Sequence, residues 1–278
     1  MKKFFLTLFI FILITGPVAL AQKKSLTIER CYPPCWWTGM KNPRLDLLIR
    51  GKNIQDYSVK LNNKHIKLDT VIRPDNTNYL ILRLNISPEA TSQKFNITFI
   101  KGKQTLPYAY ELRDRKSGDN SHQGLNSTDL IYLLMPDRFS NGDTLNDHIA
   151  GMQDSLCCRD SLFSRHGGDL QGIIKHLDYF SDLGVTALWL TPVFETDQPL
   201  ASYHGYAVTD HYQIDPRLGN NQFYADFVRK CHKSGIKIVM DMVFNHIGDQ
   251  SWMYRDLPSQ QWIHRFKTYT KTNYRDVT

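Results

Sequence analysis

Three compact, mostly apolar runs constrain this chain most: Leu130–Met135 (LIYLLM), Val185–Leu190 (VTALWL) and Ile236–Met240 (IKIVM). Runs so short and so apolar predict strands buried on both faces. Helical patterns lie between them. From Asp169, the apolar residues Leu170, Ile173, Ile174, Leu177 and Phe180 recur at helical spacing, with Asp169 as N-cap and Gly184 as C-terminal stop. Phe223, Phe227, Val228 and Cys231 mark a second helix that Gly235 ends. Strand, helix, strand, helix, strand predicts a parallel α/β sheet with long loops after its strands. Chemistry in such folds collects at the C-terminal ends of the strands.

The preceding stretch has a different grammar. From about Ser25 to Leu112, alternating runs such as Arg44–Arg50, Tyr79–Leu84 and Phe95–Ile100 are separated by Gly51, Asn62-Asn63, Pro74-Asp75 and Gly102. Short alternating strands at this spacing predict a small β-sandwich. The polar, Gly/Ser-bearing stretch 114–126 (DRKSGDNSHQGLN) reads as the linker between domains 22–113 and 127–278. Charge divides at the same place. Residues 22–120 carry 18 basic and 9 acidic side chains, and residues 121–278 carry 14 and 18, which places the formal excess of +7 in the sandwich. Its basic residues are scattered without a clustered motif, so nucleic acid is not an expected partner.

Lys2-Lys3, an apolar run from Phe4 to Ile14 and Ala19-Leu20-Ala21 describe a secretory signal peptide over residues 1–21, too short to span a bilayer. The expected location is exported, periplasmic or secreted, with no membrane attachment after cleavage. Five cysteines remain possible disulfide formers in that compartment. Cys31 and Cys35 have a turn between them that would let them pair, whereas adjacent Cys157 and Cys158 make a strained mutual bridge.

Three segments follow the three apolar runs. The first places Asn141, Asp143, Asn146 and Asp147 within seven residues around Gly142. Hard cations such as Ca2+ take oxygen ligands of this kind, although Asn/Asp-rich turns also occur without metal. The second is Tyr203-His204-Gly205-Tyr206, whose aromatic faces and polar edges suit a sugar ring or an ordinary packed turn. The third is Asp241-Met-Val-Phe-Asn245-His246. Strand periodicity would point Asp241, Val243 and Asn245 to one face, and an Asp ending an apolar strand is costly to bury unless paired or functional.

Together MPDRFSNGD (135–143), GGDLQGI (167–173), LGVTALWLTPVF (183–194), YHGY (203–206) and DMVFNH (241–246) resemble, in order, the α-amylase superfamily, glycoside hydrolase family 13. Upstream, PPCWWTGM (33–40) with DLLIRGKNI (46–54) resembles the N-terminal β-domain of the neopullulanase/cyclomaltodextrinase branch, in its exported Bacteroides-type form. The resemblance implies a multidomain chain: an N-terminal β-sandwich, then the first three βα units of a TIM (β/α)8 barrel. It implies retaining hydrolysis of α-1,4-glucosidic bonds in starch, maltooligosaccharide, pullulan or cyclodextrin. Tyr206 would stack on the sugar at the cleavage subsite, with His204 beside it. His246 would hydrogen-bond a hydroxyl of that sugar, and Asp241 would orient an arginine next to the nucleophile. Asn141, Asp143, Asn146, Asp147, the Gly167 carbonyl and Asp169 would form the branch's calcium site. Dimerisation through the β-domain is a property of cytoplasmic relatives and makes a homodimer conceivable here.

The catalytic carboxylates implied by the resemblance belong to strands four, five and seven, whereas this sequence runs to Thr278, just past the third. No Gly-x-Arg-x-Asp segment occurs, and Glu195 is the only Glu after the linker. The nucleophile and the acid/base are therefore expected beyond Thr278. The chain reads as the N-terminal portion of an enzyme, inactive alone, with bare inner barrel faces. The competing expectation is a non-catalytic starch-binding or maltooligosaccharide-binding protein that uses Trp36, Trp37 and the YHGY loop.

Overall fold

The structure, a computed structural model, describes residues 27–115 and 124–264. The expected signal peptide, most of the linker and residues 265–278 lie outside the described residues. Thr278, beyond which the nucleophile and acid/base are expected, is among them. The first unit is a sandwich of two four-stranded sheets. One has the order β1 (Arg30–Tyr32), β3 (Arg44–Arg50), β6 (Tyr79–Ile86), β5 (Ile66–Ile72). The other runs β2 (Cys35–Trp37), β8 (Gln104–Arg113), β7 (Gln93–Lys101), β4 (Ser58–Leu61). Alternation decides which side chains face inward. Leu45, Leu47 and Ile49 of β3, Leu80, Leu82 and Leu84 of β6, and Phe95, Ile97 and Phe99 of β7 fill one core with Tyr110 and Leu112. All five cysteines are free thiols, so Cys31 and Cys35 remain unpaired.

The second unit is a parallel sheet of order β13 (Lys237–Met240), β10 (Ala187–Leu190), β9 (Ile131–Leu134). Its register is level: Leu190 lies opposite both Leu134 and Met240. The chain therefore leaves all three strands at one edge, where Met135, Thr191 and Asp241 begin their loops. A four-residue turn of helix, α1 (Pro136–Phe139), follows β9. Helices α2 (Leu170–Ile174) and α3 (Leu177–Asp182) cross to β10. A short hairpin of β11 (Phe194–Glu195) and β12 (Asp210–Ile214) follows, then α4 (Asn221–Lys233), which crosses to β13. This is the β-sandwich followed by three βα units of a (β/α)8 barrel.

Three expectations need correction. The single helix from Asp169 to Gly184 is two, because at His176 (φ −121°, ψ 25°) the chain leaves helical geometry. The flanking side chains are drawn aside: the Lys175 ammonium donates to the Gly142 carbonyl, and His176 meets the Ser140 hydroxyl at 3.2 Å. Burial in β9 and β10 is concentrated on one face, and the four residues of β13 are all half-buried. Leu134, Leu188 and Leu190 pack on Leu170, Ile173, Phe180 and Phe227, while Ile131, Leu133 and Trp189 are exposed on the other face. Finally, the strand ends at Met240, so period-two alternation lapses beyond it: Val243 is buried against Phe194 and Val208, and Asn245 is exposed. The Asp169 cap does form, its carboxylate accepting from the Gly172 N–H at 2.6 Å.

The sandwich grips the loops of the barrel segment. Arg30 pairs with Asp210 and lies over the ring of Trp252, on the short helix α5 (Trp252–Arg255). Tyr32 stacks on Tyr212, with ring centroids 4.3 Å apart. Arg50 donates to Asp256 at 2.9 and 2.7 Å, Asn76 donates to the same carboxylate at 2.6 Å, and the Asn76 N–H donates to the Pro258 carbonyl.

Candidate functional site

The level strand register brings the second and third segments together around Tyr206. The loop carrying it is held in a narrow conformation. Ser202–His204 form one turn of 3-10 helix, entered from Ala201 at φ 57° and left through Gly205 at φ 81°. A Cβ on Gly205 would lie 2.1 Å from the Pro192 carbonyl oxygen, so only glycine fits there. The Tyr206 N–H donates to His204 Nδ1 at 2.9 Å, which leaves His204 its proton on Nε2. The Tyr206 carbonyl accepts from His246 Nε2 at 2.9 Å, and its hydroxyl donates to Asp241 Oδ2 at 3.1 Å. Thus His204, Asp241 and His246 all bond to Tyr206, whose own residue is 40% exposed.

Burial pushes the His204 imidazole below its ordinary value, favouring the neutral ring. Tyr206 is pushed up, first by desolvation and then by its bond to Asp241. The cluster thus presents a neutral phenol held in place by a carboxylate. One participant escaped the sequence reading: Trp189, at the exposed face of β10, donates Nε1–H to the same Asp241 oxygen at 3.2 Å. Its position one residue before the end of the second apolar run was the available signal.

The first segment makes a separate oxygen-rich nest. Asp169, fully buried at the head of α2, is its anchor: its two carboxylate oxygens accept from the N–H groups of Gly142, Asp143 and Gly172 and from the Asn146 amide. The Asn141 amide donates to Asp147 at 2.8 and 3.1 Å. Asp143 instead turns outward and caps Leu145. The side-chain oxygens of Asn141 and Asn146 are both buried without a hydrogen-bond partner. Gly167 closes the nest at φ 83°, where a Cβ would fall 2.5 Å from the Asp147 carboxylate. Among the described residues no three His, Cys, Asp or Glu side chains converge on a common point, so any cation here depends on amide and carbonyl oxygens as well. Two orphaned acceptors beside an aspartate are a donor set that fits a hard cation such as Ca2+.

Comparison with known proteins gives two family matches. Residues 133–276 match the family described as alpha amylase, catalytic domain, and residues 30–116 match cyclomaltodextrinase, N-terminal. Neopullulanase 2 of Thermoactinomyces vulgaris is 40% identical over 140 residues, which is 50% of this chain and 23% of that protein. A cyclomaltodextrinase of Thermoanaerobacter pseudethanolicus is 42% identical over 130 residues, 46% of this chain and 21% of that one. Among solved structures, an Anoxybacillus α-amylase has 35% identity over 52% of this chain and 30% of its own, with a TM-score of 0.44. The matched stretches span less than a quarter of the length of those two relatives.

Proposed function

The chain belongs to the α-amylase family, and on that premise we propose that it serves retaining hydrolysis of α-1,4-glucosidic bonds in an α-glucan such as starch, maltooligosaccharide, pullulan or cyclodextrin. The carrying observation is the convergence of His204, Asp241 and His246 on Tyr206 at the shared C-terminal edge of the strands. Sugar rings offer apolar C–H faces and hydroxyl edges. The exposed Tyr206 ring takes the face, and the imidazoles beside it take hydroxyls. Asp241 fixes the ring's tilt through Oη. The experiment is calorimetric titration of residues 22–278 with maltoheptaose. Saturable binding that Tyr206→Ala abolishes is expected, and equal binding by the variant overturns the assignment.

Binding is not cleavage. Retaining glycosidases use two carboxyl groups about 5 Å apart. Here the Asp241 carboxylate is engaged by Trp189 and Tyr206, and Glu195 is half-buried with Thr209 donating to it. Neither is assigned as nucleophile or acid/base. We therefore propose that residues 22–278 by themselves do not hydrolyse glucan, and release of reducing sugar from maltoheptaose or cyclodextrin would refute this.

Of the finer readings, the neopullulanase/cyclomaltodextrinase branch is supported by the names of the relatives. A structural Ca2+ held by Asn141, Asn146, Asp147 and the Gly167 carbonyl, with Asp169 and Asp143 organising the loop, is supported by the orphaned oxygens. Export to the periplasm or medium rests on the first 21 residues. Among the described residues no helix is long and apolar enough to cross a membrane. Homodimerisation is left to measurement of mass in solution. A second reading, a glucan-binding protein without catalysis, has one observation in its favour: a groove of about 300 Å3 on the sandwich, lined by Trp36, Trp37 and Met40. If Trp37→Ala weakens maltoheptaose binding more than Tyr206→Ala does, that reading is preferred.

A further inference from the structure

Arg217 is buried and lies outside the four residues that meet at the site, yet its contacts lead there. Its guanidinium has five N–H groups, and each has an acceptor. Nε donates to Asp215 Oδ1 at 2.8 Å, and Nη2 donates to Asp215 Oδ2 at 2.7 Å and to the Thr196 carbonyl at 2.8 Å. Nη1 donates to the Ser202 hydroxyl at 3.0 Å and to the Asp154 carbonyl at 3.2 Å. Asp154 then takes both the N–H and the hydroxyl of Ser202, at 3.1 and 2.7 Å. Thr196 completes the frame, its N–H donating to Asp215 at 3.1 Å and its hydroxyl lying within bonding distance of the Phe194 carbonyl at 3.1 Å and the Gly205 carbonyl at 3.3 Å.

Three loops are thereby joined by one side chain: that after β9 through Asp154, that after β11 through Thr196 and Ser202, and that before α4 through Asp215. Ser202 opens the 3-10 turn that ends in His204, two residues before Tyr206. A buried ion pair is a poor source of net stability, because desolvation offsets much of its Coulombic gain. What such a fork does supply is geometry: planar donors in fixed directions, which a lysine ammonium does not reproduce.

We propose that Arg217 is a positioning residue, which with Asp215 and Asp154 holds the Ser202–Gly205 turn in the one conformation that presents His204 and Tyr206 to α-glucan. The inference deepens the glucan-binding reading and rests on it for its ligand. It has a local signature. The Tyr206 amide proton is bonded to His204 only while the turn is set, so its hydrogen exchange reports the turn directly.

The test uses the full chain, Arg217→Lys and Ser202→Ala, read by maltoheptaose titration and by amide exchange. Arg217→Lys is expected to weaken maltoheptaose binding by about tenfold. It should also lose protection at the Tyr206 amide, while the amides of Ile97 in the sandwich and Phe227 in α4 keep theirs. A merely structural residue would lower all three together. Ser202→Ala should move both readouts the same way by less, and it decides the matter if the Arg217 variant does not fold. A folded variant with wild-type affinity, or with Tyr206 still protected, overturns the proposal. If the wild-type chain does not bind maltoheptaose, the glucan reading fails, and Tyr206 exchange alone decides whether Arg217 sets the turn.

Discussion

Arg30 of the first sandwich strand and Asp210 of the barrel hairpin, 180 residues apart, form a 2.5 Å ion pair in which the carboxylate is 2% exposed and the guanidinium 33%. The same arginine bonds the Tyr32 hydroxyl and lies over Trp252, so one cation ties the sandwich to the loops after both β10 and β13. Removing one partner of a buried pair leaves the other charge uncompensated. Arg30→Ala is therefore expected to destabilise the chain by about 2 kcal/mol, below the fully buried range because Arg30 is partly solvated. Urea unfolding read by tryptophan fluorescence measures it, and a change within a few tenths of a kcal/mol (about 0.3) would mean water already satisfies Asp210.

Asp256 adds a pH dependence with a defined sign. Burial works against its charged form, but hydrogen bonds from Asn76 and Arg50, the Arg50 charge and a weaker bond from Asn78 together hold the carboxyl below its ordinary 3.8. A carboxyl depressed in the folded state binds fewer protons there than when unfolded. Its contribution is present above pH 3.8 and fades as pH falls through the lower folded value. Asp256→Asn should cost about 1 kcal/mol at pH 7 and progressively less below about pH 4. Thermal unfolding from about pH 3 to 7 checks this, and a penalty independent of pH would refute it.

Glu195 is poised the opposite way. Desolvation pushes its carboxyl above 4.5 despite the Thr209 hydrogen bond, and Asp210, Asp215 and Asp197 reinforce the rise. The folded state then binds more protons than the unfolded one, so Glu195 favours folding below 4.5 relative to neutral pH. Glu195→Gln, which keeps an acceptor for Thr209, should raise the melting temperature at neutral pH and lose that gain below pH 4.5. Equal melting temperatures at neutral pH would show that the carboxylate is already well solvated.

The nest around Asn141 predicts metal linkage. A ligand that binds only the folded state stabilises it by RT ln(1 + [L]/Kd), about 2.7 kcal/mol at a hundredfold excess over Kd. Millimolar Ca2+ should raise the melting temperature, EGTA should reverse the rise, and Asn141→Ala should abolish it. Gly167→Ala should both destabilise the apo chain and lose the calcium response, since its Cβ would enter the space beside Asp147. A melting temperature unmoved by Ca2+ would assign the loop to hydrogen bonding alone.

The sandwich was readable from residue alternation, because a half-buried strand such as Arg44–Arg50 must send every second side chain inward, and it does. The parallel segment was readable as three apolar runs, and the helix expected to stop by Gly235 is α4, which ends at Lys233; its Asn220 cap is added by the structure. The break at His176 was not readable, because nothing in a smooth helical periodicity reports a lysine drawn away to a carbonyl 33 residues earlier. For the site, residue chemistry marked the segments 203–206 and 241–246, and the resemblance gave His204, Tyr206, Asp241 and His246 their roles. That they meet was not readable, because His246 and Tyr206 are 40 residues apart, joined through a register that the sequence leaves implicit. Arg217 and Asp154, 63 residues apart, carry no sequence signal that singles them out. Burial turns them into a frame, and burial of a polar residue has no pattern of its own.

The docking of residues 252–259 on the sandwich carries a consequence for mutational surveys of this chain. His246 lies on the loop whose far end is fixed by Arg50, Asn76 and Asp75 of the other unit. A packing change at Leu47 or Leu82, deep in the sandwich core, is expected to shift those three anchors and with them the loop that carries His246. On the proposed glucan reading, substitutions that alter oligosaccharide preference should therefore be sought in the sandwich core as well as in the barrel loops.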